Sequence, residues 1–214
     1  MKEHAKAALI GTLLFSTLLF LIVVTNGPPA GKATTSSTVF IVNSTPANCT
    51  FDVGAGLNVV SLPCLSSAED ILTITNQTEV LAMYQYTPGT SDVWKVYNPT
   101  LPNWTVSDLT HLTRRAGYVV LMNASANKTI EGQIALSTDV PLIQGWNLVG
   151  YPSLKVRNIS DTFGSVNATV TRVEAYNKTA ELYIVYPTGN LSKFTPGLGY
   201  FVNVTASGTW TVQQ

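Results

Sequence analysis

The sequence predicts an all-β chain: two tandem β-sandwich domains produced by an internal duplication, preceded by a signal segment and a free N-terminal strand. Three observations carry this expectation. Runs of β-branched and aromatic residues, separated by Asn, Gly, Thr and Pro, fill the chain from Thr34 onward. Several of these runs occur twice, in the same order. The chain opens with a short charged stretch and a long apolar run of the kind that directs export.

The N-terminal segment comes first. "MKEHAK" is a charged n-region, and Ala7 to Val24 is a continuous apolar run just long enough to span a bilayer. "TNGPPAGKA" follows with breakers and small residues, and Gly31-Lys32-Ala33 fits a small-x-small cleavage site. Residues 1–33 are therefore expected to be a signal peptide cut after Ala33, with an uncleaved anchor through residues 7–24 as the alternative. Either way the remainder is exported to the cell surface or beyond.

Composition agrees with that address. The chain has 214 residues, 12 basic and 12 acidic, and only 11% are charged, against roughly 25% in an ordinary soluble protein. Zero net charge and the lack of a basic cluster argue against a nucleic-acid partner. Eleven asparagines lie in Asn-x-Ser/Thr: Asn43, Asn48, Asn76, Asn103, Asn123, Asn127, Asn158, Asn167, Asn177, Asn190 and Asn203. Only Asn26, Asn58, Asn98 and Asn147 do not. Ser and Thr together number 44, so chance would place about three such motifs among the fifteen asparagines. The excess points to dense N-glycosylation. Cys49 and Cys64, the only cysteines, are expected to pair in an exported chain, stabilising it by roughly 3 kcal/mol.

The next element is the strand "TTSSTVFIVNST": Thr34, Thr35, Ser36, Ser37, Thr38, Val39, Phe40, Ile41, Val42, Asn43, Ser44 and Thr45. Its centre, Thr38 to Val42, is apolar on both faces and suits a strand buried between neighbours. No tight turn returns it as a hairpin, and "PANC" reads as a linker to the body. Such a strand either completes its own sheet or fills a groove in another subunit.

Two β-domains follow, at 46–136 and 137–214. "GLNVVSLP" (Gly56 to Pro63) returns as "GWNLVGYP" (Gly145 to Pro152). Leu109 to Ile130 returns without a gap as Leu191 to Val212. Strands are expected from Gly145, over Arg172 to Tyr176, Leu182 to Tyr186, Tyr200 to Thr205 and Thr209 to Val212, with "NKTAE" and "TASG" as hairpin turns. Alternation puts Tyr200, Val202 and Val204 on one face and Phe201, Asn203 and Thr205 on the other. One helical turn per copy is expected, in "SSAEDILTI" with Ser66 or Ser67 as cap, and in "NISDTFGSV".

No catalytic motif is present, no run of metal ligands and no cofactor fingerprint. His111 would be the one histidine left after export, and it reads as a surface residue. Trp94, Trp104, Trp146 and Trp210 fit either a sugar platform or core packing, and packing is the expectation, above all for Trp146.

The duplicated unit resembles a β-repeat of archaeal and bacterial cell-surface proteins. The matching residues are Gly145-Trp146-Asn147-Leu148, Trp94-Lys95-Val96-Tyr97-Asn98-Pro99 and Gly117-Tyr118-Val119-Val120. It departs from that repeat at Leu57 and Leu182, where Trp is missing. In layout the chain is similar to archaeal thread filament subunits, whose resemblance implies immunoglobulin-like or pilin-like sandwiches and head-to-tail polymerisation by donor-strand complementation, with Thr34 to Thr45 as donor. The expected function is thus a structural subunit of a glycosylated extracellular filament with roles in adhesion or biofilm. A membrane-anchored adhesion or carbohydrate-binding module is the alternative, and an enzyme is not expected.

Overall fold

The computed structural model describes residues 44–65, 68–72, 79–102, 107–166 and 169–214, all within one compact unit. Among these residues the chain is almost entirely β. The first half contributes β1 (Ser44–Val53), β2 (Gly56–Ser61), β3 (Glu69–Asp70), β4 (Val80–Tyr86), β5 (Trp94–Tyr97), β6 (His111–Leu112), β7 (Gly117–Met122) and β8 (Ala126–Ala135). The second contributes β9 (Ser137–Leu142), β10 (Gly145–Gly150), β11 (Arg157–Asn158), the one-turn helix α1 (Ile159–Thr162), β12 (Val170–Asn177), β13 (Leu182–Tyr186), β14 (Lys193–Phe194), β15 (Gly199–Val204) and β16 (Gly208–Gln213).

The halves share one antiparallel plan. Each has a four-stranded sheet, ordered β2-β7-β4-β5 and β10-β15-β12-β13. Each has a short pair, β3-β6 and β11-β14, and a longer ribbon, β1-β8 and β16-β9. Local chemistry corresponds as well. Gly56 and Gly145 open their strands at φ 83° and 93°, where a side chain would be strained. Two residues on, Asn58 and Asn147 are buried and bracket the preceding loop. Asn58 Oδ1 accepts from Gly54 N at 3.0 Å and Nδ2 donates to Gly54 O at 2.8 Å. Asn147 does the same with Ile143, at 2.8 and 2.7 Å. The fully buried Tyr118 and Tyr200 each accept a backbone N–H on the hydroxyl, from Thr113 and Thr195, both at 2.7 Å. Burial pushes both phenols up to about 12.

Each half has its own core, and the two are filled differently. The first is mainly aliphatic, with Leu62, Leu65, Leu112, Val120 and Ile130 around Tyr118. It is stapled by the Cys49–Cys64 disulfide, Cα to Cα 5.8 Å, which joins β1 to the segment after β2. The second is aromatic: Tyr151 stacks on Phe194 at 5.1 Å, Phe194 meets Tyr200 edge-on at 4.6 Å, and Trp210 donates its indole N–H to Thr162 O at 2.9 Å. In the aligned segments Leu62 stands where the second half has Tyr151, and Leu112 where it has Phe194. Where the first half has its cysteines, the second has the buried Thr138 and Ser153. A unit this small needs a staple or large side chains to hold its core, and the halves use one device each.

The cores meet across a reciprocal seam. Val60 bridges Leu198, and Val149 bridges Ala116. Ser61 N donates to Gly197 O at 2.8 Å, and Gly150 N to Arg115 O at 2.9 Å. Gly117 and Gly199 allow the close approach: a Cβ on either would sit 2.7 Å from the carbonyl oxygen of Val149 or Val60.

Several expectations change. "PANC" is not a linker: Pro46 to Cys49 belong to β1, which pairs with β8 from Ser44↔Ala135 to Val53↔Ala126. Proline is tolerated there because its partner, Gln133, turns its N–H away from β1 to Cys64 O at 2.9 Å. "NKTAE" is the hairpin turn between β12 and β13, but "TASG" is not one between paired strands. It carries the chain from β15, paired with β10 and β12, to β16, paired with β9. Glu69 and Asp70 form a short strand against β6, and Asp70 Oδ1 accepts Leu72 N at 2.8 Å, whereas Ser66 and Ser67 lie outside the described residues.

Candidate assembly strand and glycan acceptors

Of the twelve residues expected to form a donor strand, Thr34 to Asn43 lie outside the described residues. Ser44 and Thr45 open β1 and pair within the chain, opposite Ala135 and Ile134. Their register partners are thus supplied by β8 of the same chain.

The upstream end of β1 lies in a defined setting. Only Leu136 separates β8 from β9, so Ser44 opposite Ala135 and Gln213 opposite Ser137 bracket a single residue. Strand residues direct their N–H and C=O alternately to opposite edges. Gln133 points away from β1, so Ile134, and two residues on Leu136, point toward the β1 edge. The Leu136 carbonyl on that edge already accepts Gln214 N–H at 2.9 Å. The start of β1 and the end of β16 therefore abut on one edge, and the positions at which β1 would continue upstream in register are held by Gln213 and Gln214.

Every described sequon asparagine is at least half-exposed. Asn48, Asn123, Asn127, Asn158 and Asn190 are exposed, and Asn177 and Asn203 half-exposed. Asn43, Asn76, Asn103 and Asn167 lie outside the described residues. Among the described residues the two buried asparagines, Asn58 at 6% and Asn147 at 3%, are both outside sequons and both serve the loop brackets above. Asn127 donates to Asp52 Oδ1 at 2.5 Å, Asn158 to Asp161 Oδ2 at 3.0 Å, and Asn177 Oδ1 accepts from Thr179 and Ala180. Asn203 sits on the outer face of β15, opposite to Tyr200, Val202 and Val204, as the alternation requires.

The other singled-out residues are dispersed. His111 is exposed on β6, its Nδ1 2.9 Å from Thr110 Oγ1. Trp210 is core, but Trp146 is 38% exposed and Trp94 43%, and Trp104 is outside the described residues. The packing expectation for Trp146 fails because it precedes the inward Asn147 on β10 and so points to the outer face. Lys95 lies between Asp92 and Asp108, at 3.0 and 2.8 Å. Desolvation would raise the Asp108 carboxyl, but hydrogen bonds from Lys95 and the Val96 N–H outweigh it and hold its pKa at about 2. Among the described residues no helix is long and apolar enough to cross a membrane, and residues 7–24 are not among them.

One cluster was not apparent in the sequence. The loop Thr113, Arg114, Arg115 and the strand junction Ala135 to Asp139 enclose a cleft of about 270 Å³. Comparison with protein families, with characterised proteins and with solved structures finds no match to this chain.

Proposed function

We propose that the chain is a structural subunit of an extracellular, N-glycosylated filament, in which the segment Thr34 to Asn43 of one copy adds as a strand to the next copy. The observation that carries this reading is the occupied edge at Leu136. An apolar segment whose in-register continuation is taken by Gln213 and Gln214 needs another sheet edge, and a second copy can supply one. A head-to-tail contact of this kind does not close, so it propagates. In this reading the two halves are copies of one immunoglobulin-like or pilin-like unit, residues 1–33 are removed on export, and the exposed sequons carry glycans. Shared strand order, the paired Asn58/Asn147 brackets and the paired Tyr118/Tyr200 hydroxyl contacts support the duplication.

The test compares residues 34–214 with 44–214, and with Phe40→Asp in the longer chain, by light scattering and negative-stain microscopy. Filaments sheared from producing cells are imaged alongside. The reading expects oligomers only from the unaltered longer chain, and monomers from all three would overturn it. The second reading, a surface adhesion or carbohydrate-binding module, is favoured by the exposed Trp94, Trp146 and Tyr183. It expects all three to be monomeric and to bind glycans.

A further inference from the structure

Independently of the assembly reading, we infer that the cleft between the Thr113–Arg115 loop and the β8–β9 junction binds a carboxylate-bearing sugar, of the size of one uronic acid residue.

The loop is held rigidly. Tyr118 Oη accepts Thr113 N–H at 2.7 Å and donates to Thr113 O at 3.2 Å, while Arg115 O accepts Gly150 N–H at 2.9 Å. The corresponding loop of the second half is held by the same contacts, from Tyr200 to Thr195 and from Ser61 N to Gly197 O. Yet its aligned residues are Pro196 and Gly197, where the first half has Arg114 and Arg115. The packing duties of this loop therefore require no arginine, which leaves the pair free for another role.

Neither arginine is in an ion pair among the described residues. Arg114 Nη1 is buried with no hydrogen-bond partner. A buried guanidinium nitrogen left unsatisfied costs stability; Nη1 is shielded from the cleft, so contact with a ligand falls to the rest of the half-buried Arg114 side chain and to the exposed Arg115. Burial and, after it, the neighbouring charge of Arg115 pull the Arg114 pKa down. Guanidinium groups match carboxylates in shape and in hydrogen bonding.

The rest of the lining narrows the ligand. Thr113, Ser137 and Thr138 bring hydroxyls, and Asp139 brings a carboxylate. Asp139 Oδ1 accepts Thr211 Oγ1–H at 2.7 Å. Two guanidiniums and one carboxylate leave one net positive charge, which suits a monoanion better than sulfate or phosphate. The Asp139 carboxylate accepts hydrogen bonds from a sugar's hydroxyls and repels a dianion more strongly than a monoanion. At about 270 Å³ the cleft lies just under the usual range for small-molecule sites, right for one ring.

Saturation-transfer NMR and calorimetry on the full chain test this with glucuronate, glucose, acetate and sulfate as probes. Glucuronate should bind, glucose and acetate should bind at least about tenfold more weakly, and Arg114→Gln and Arg115→Gln should each weaken glucuronate by about tenfold or more. Arg172→Gln, whose wild-type guanidinium is paired with Glu174 at 2.6 Å, should leave binding unchanged. A melt separates a structural role from a binding one: Arg114→Gln should melt no lower than the parent. Sulfate binding as tightly as glucuronate, glucuronate binding untouched by both substitutions, or a large drop in the melting of Arg114→Gln would each overturn the assignment.

Discussion

The seam between the halves makes a quantitative demand on two glycines. In Gly117→Ala the new Cβ would lie 2.7 Å from Val149 O and 2.9 Å from Leu148 Cδ1. In Gly199→Ala it would lie 2.7 Å from Val60 O and 3.1 Å from Val59 Cγ1. The opposing oxygens are backbone atoms of bridged residues, so no rotamer change relieves the contact. Overpacking of this kind costs about 1–3 kcal/mol. In a body of this size that corresponds to a fall in melting temperature of about 2–12 °C. Gly164→Ala is the control, because nothing lies within 4 Å of its Cβ and its backbone is not left-handed. It should be neutral or gain up to about 1 kcal/mol through the unfolded chain. Thermal melts followed by far-ultraviolet circular dichroism decide the matter. If both seam variants melt within about a degree of Gly164→Ala, the halves do not meet through these backbones and the reasoning fails.

Other predictions follow from the cores and the surface. Replacing Cys49 and Cys64 by Ala should lower unfolding stability by about 2–4 kcal/mol in urea titrations under non-reducing conditions, and an unchanged midpoint would mean the staple is idle. The double variant Thr138→Cys, Ser153→Cys should form a second disulfide at the positions aligned with the first, read as a loss of two mass units without free thiol. Asp108 has a folded pKa of about 2, below its unfolded value, so its contribution is fully present above pH ~4 and is lost as the pH falls toward 2. Asp108→Asn should flatten stability between pH 4 and 2, and an unaltered acid profile would show that Lys95 and the Val96 N–H do not govern it. Peptide mapping of protein from producing cells should find glycans on several of the exposed Asn48, Asn123, Asn127, Asn158 and Asn190 and none on Asn58 or Asn147.

What could be read from sequence was whatever local chemistry decides. The alternation at Tyr200, Val202 and Val204, the hairpin at Asn177 to Glu181 and the Cys49–Cys64 pair all follow from period, turn residues and redox setting. What escaped depends on partners distant in the chain. Pro46 signals a break, yet Gln133 has Cys64 O to bond instead, so the strand runs through it. Trp146 reads as core by hydrophobicity, but the inward position next to it is taken by Asn147 because a loop needs bracketing there. The pairing of Glu69 and Asp70 with Leu112 and His111 escaped for the same reason, since its partners lie about forty residues on. The arginine cleft left only a faint trace: Arg114-Arg115 stands against Pro196-Gly197, one of many differences between the aligned segments. A mismatch between otherwise similar copies marks a residue pair that the shared fold does not require.

The disulfide also decides how the body would respond to a pull. A load applied through the chain before Ser44 opens the β1-β8 ribbon from its Ser44–Ala135 end, one rung at a time. Peeling meets Cys49 after five residues, and there the covalent link to Cys64 transfers the load past β1 to the segment that follows β2. The slack released before that arrest is about 17 Å, at roughly 3.3 Å per strand residue. Beyond it, the hydrophobic core beneath Val53 and Ile130 stays sealed until a sulfur–sulfur bond breaks or the whole half yields. The first half is thereby a mechanical stop with a short, fixed travel.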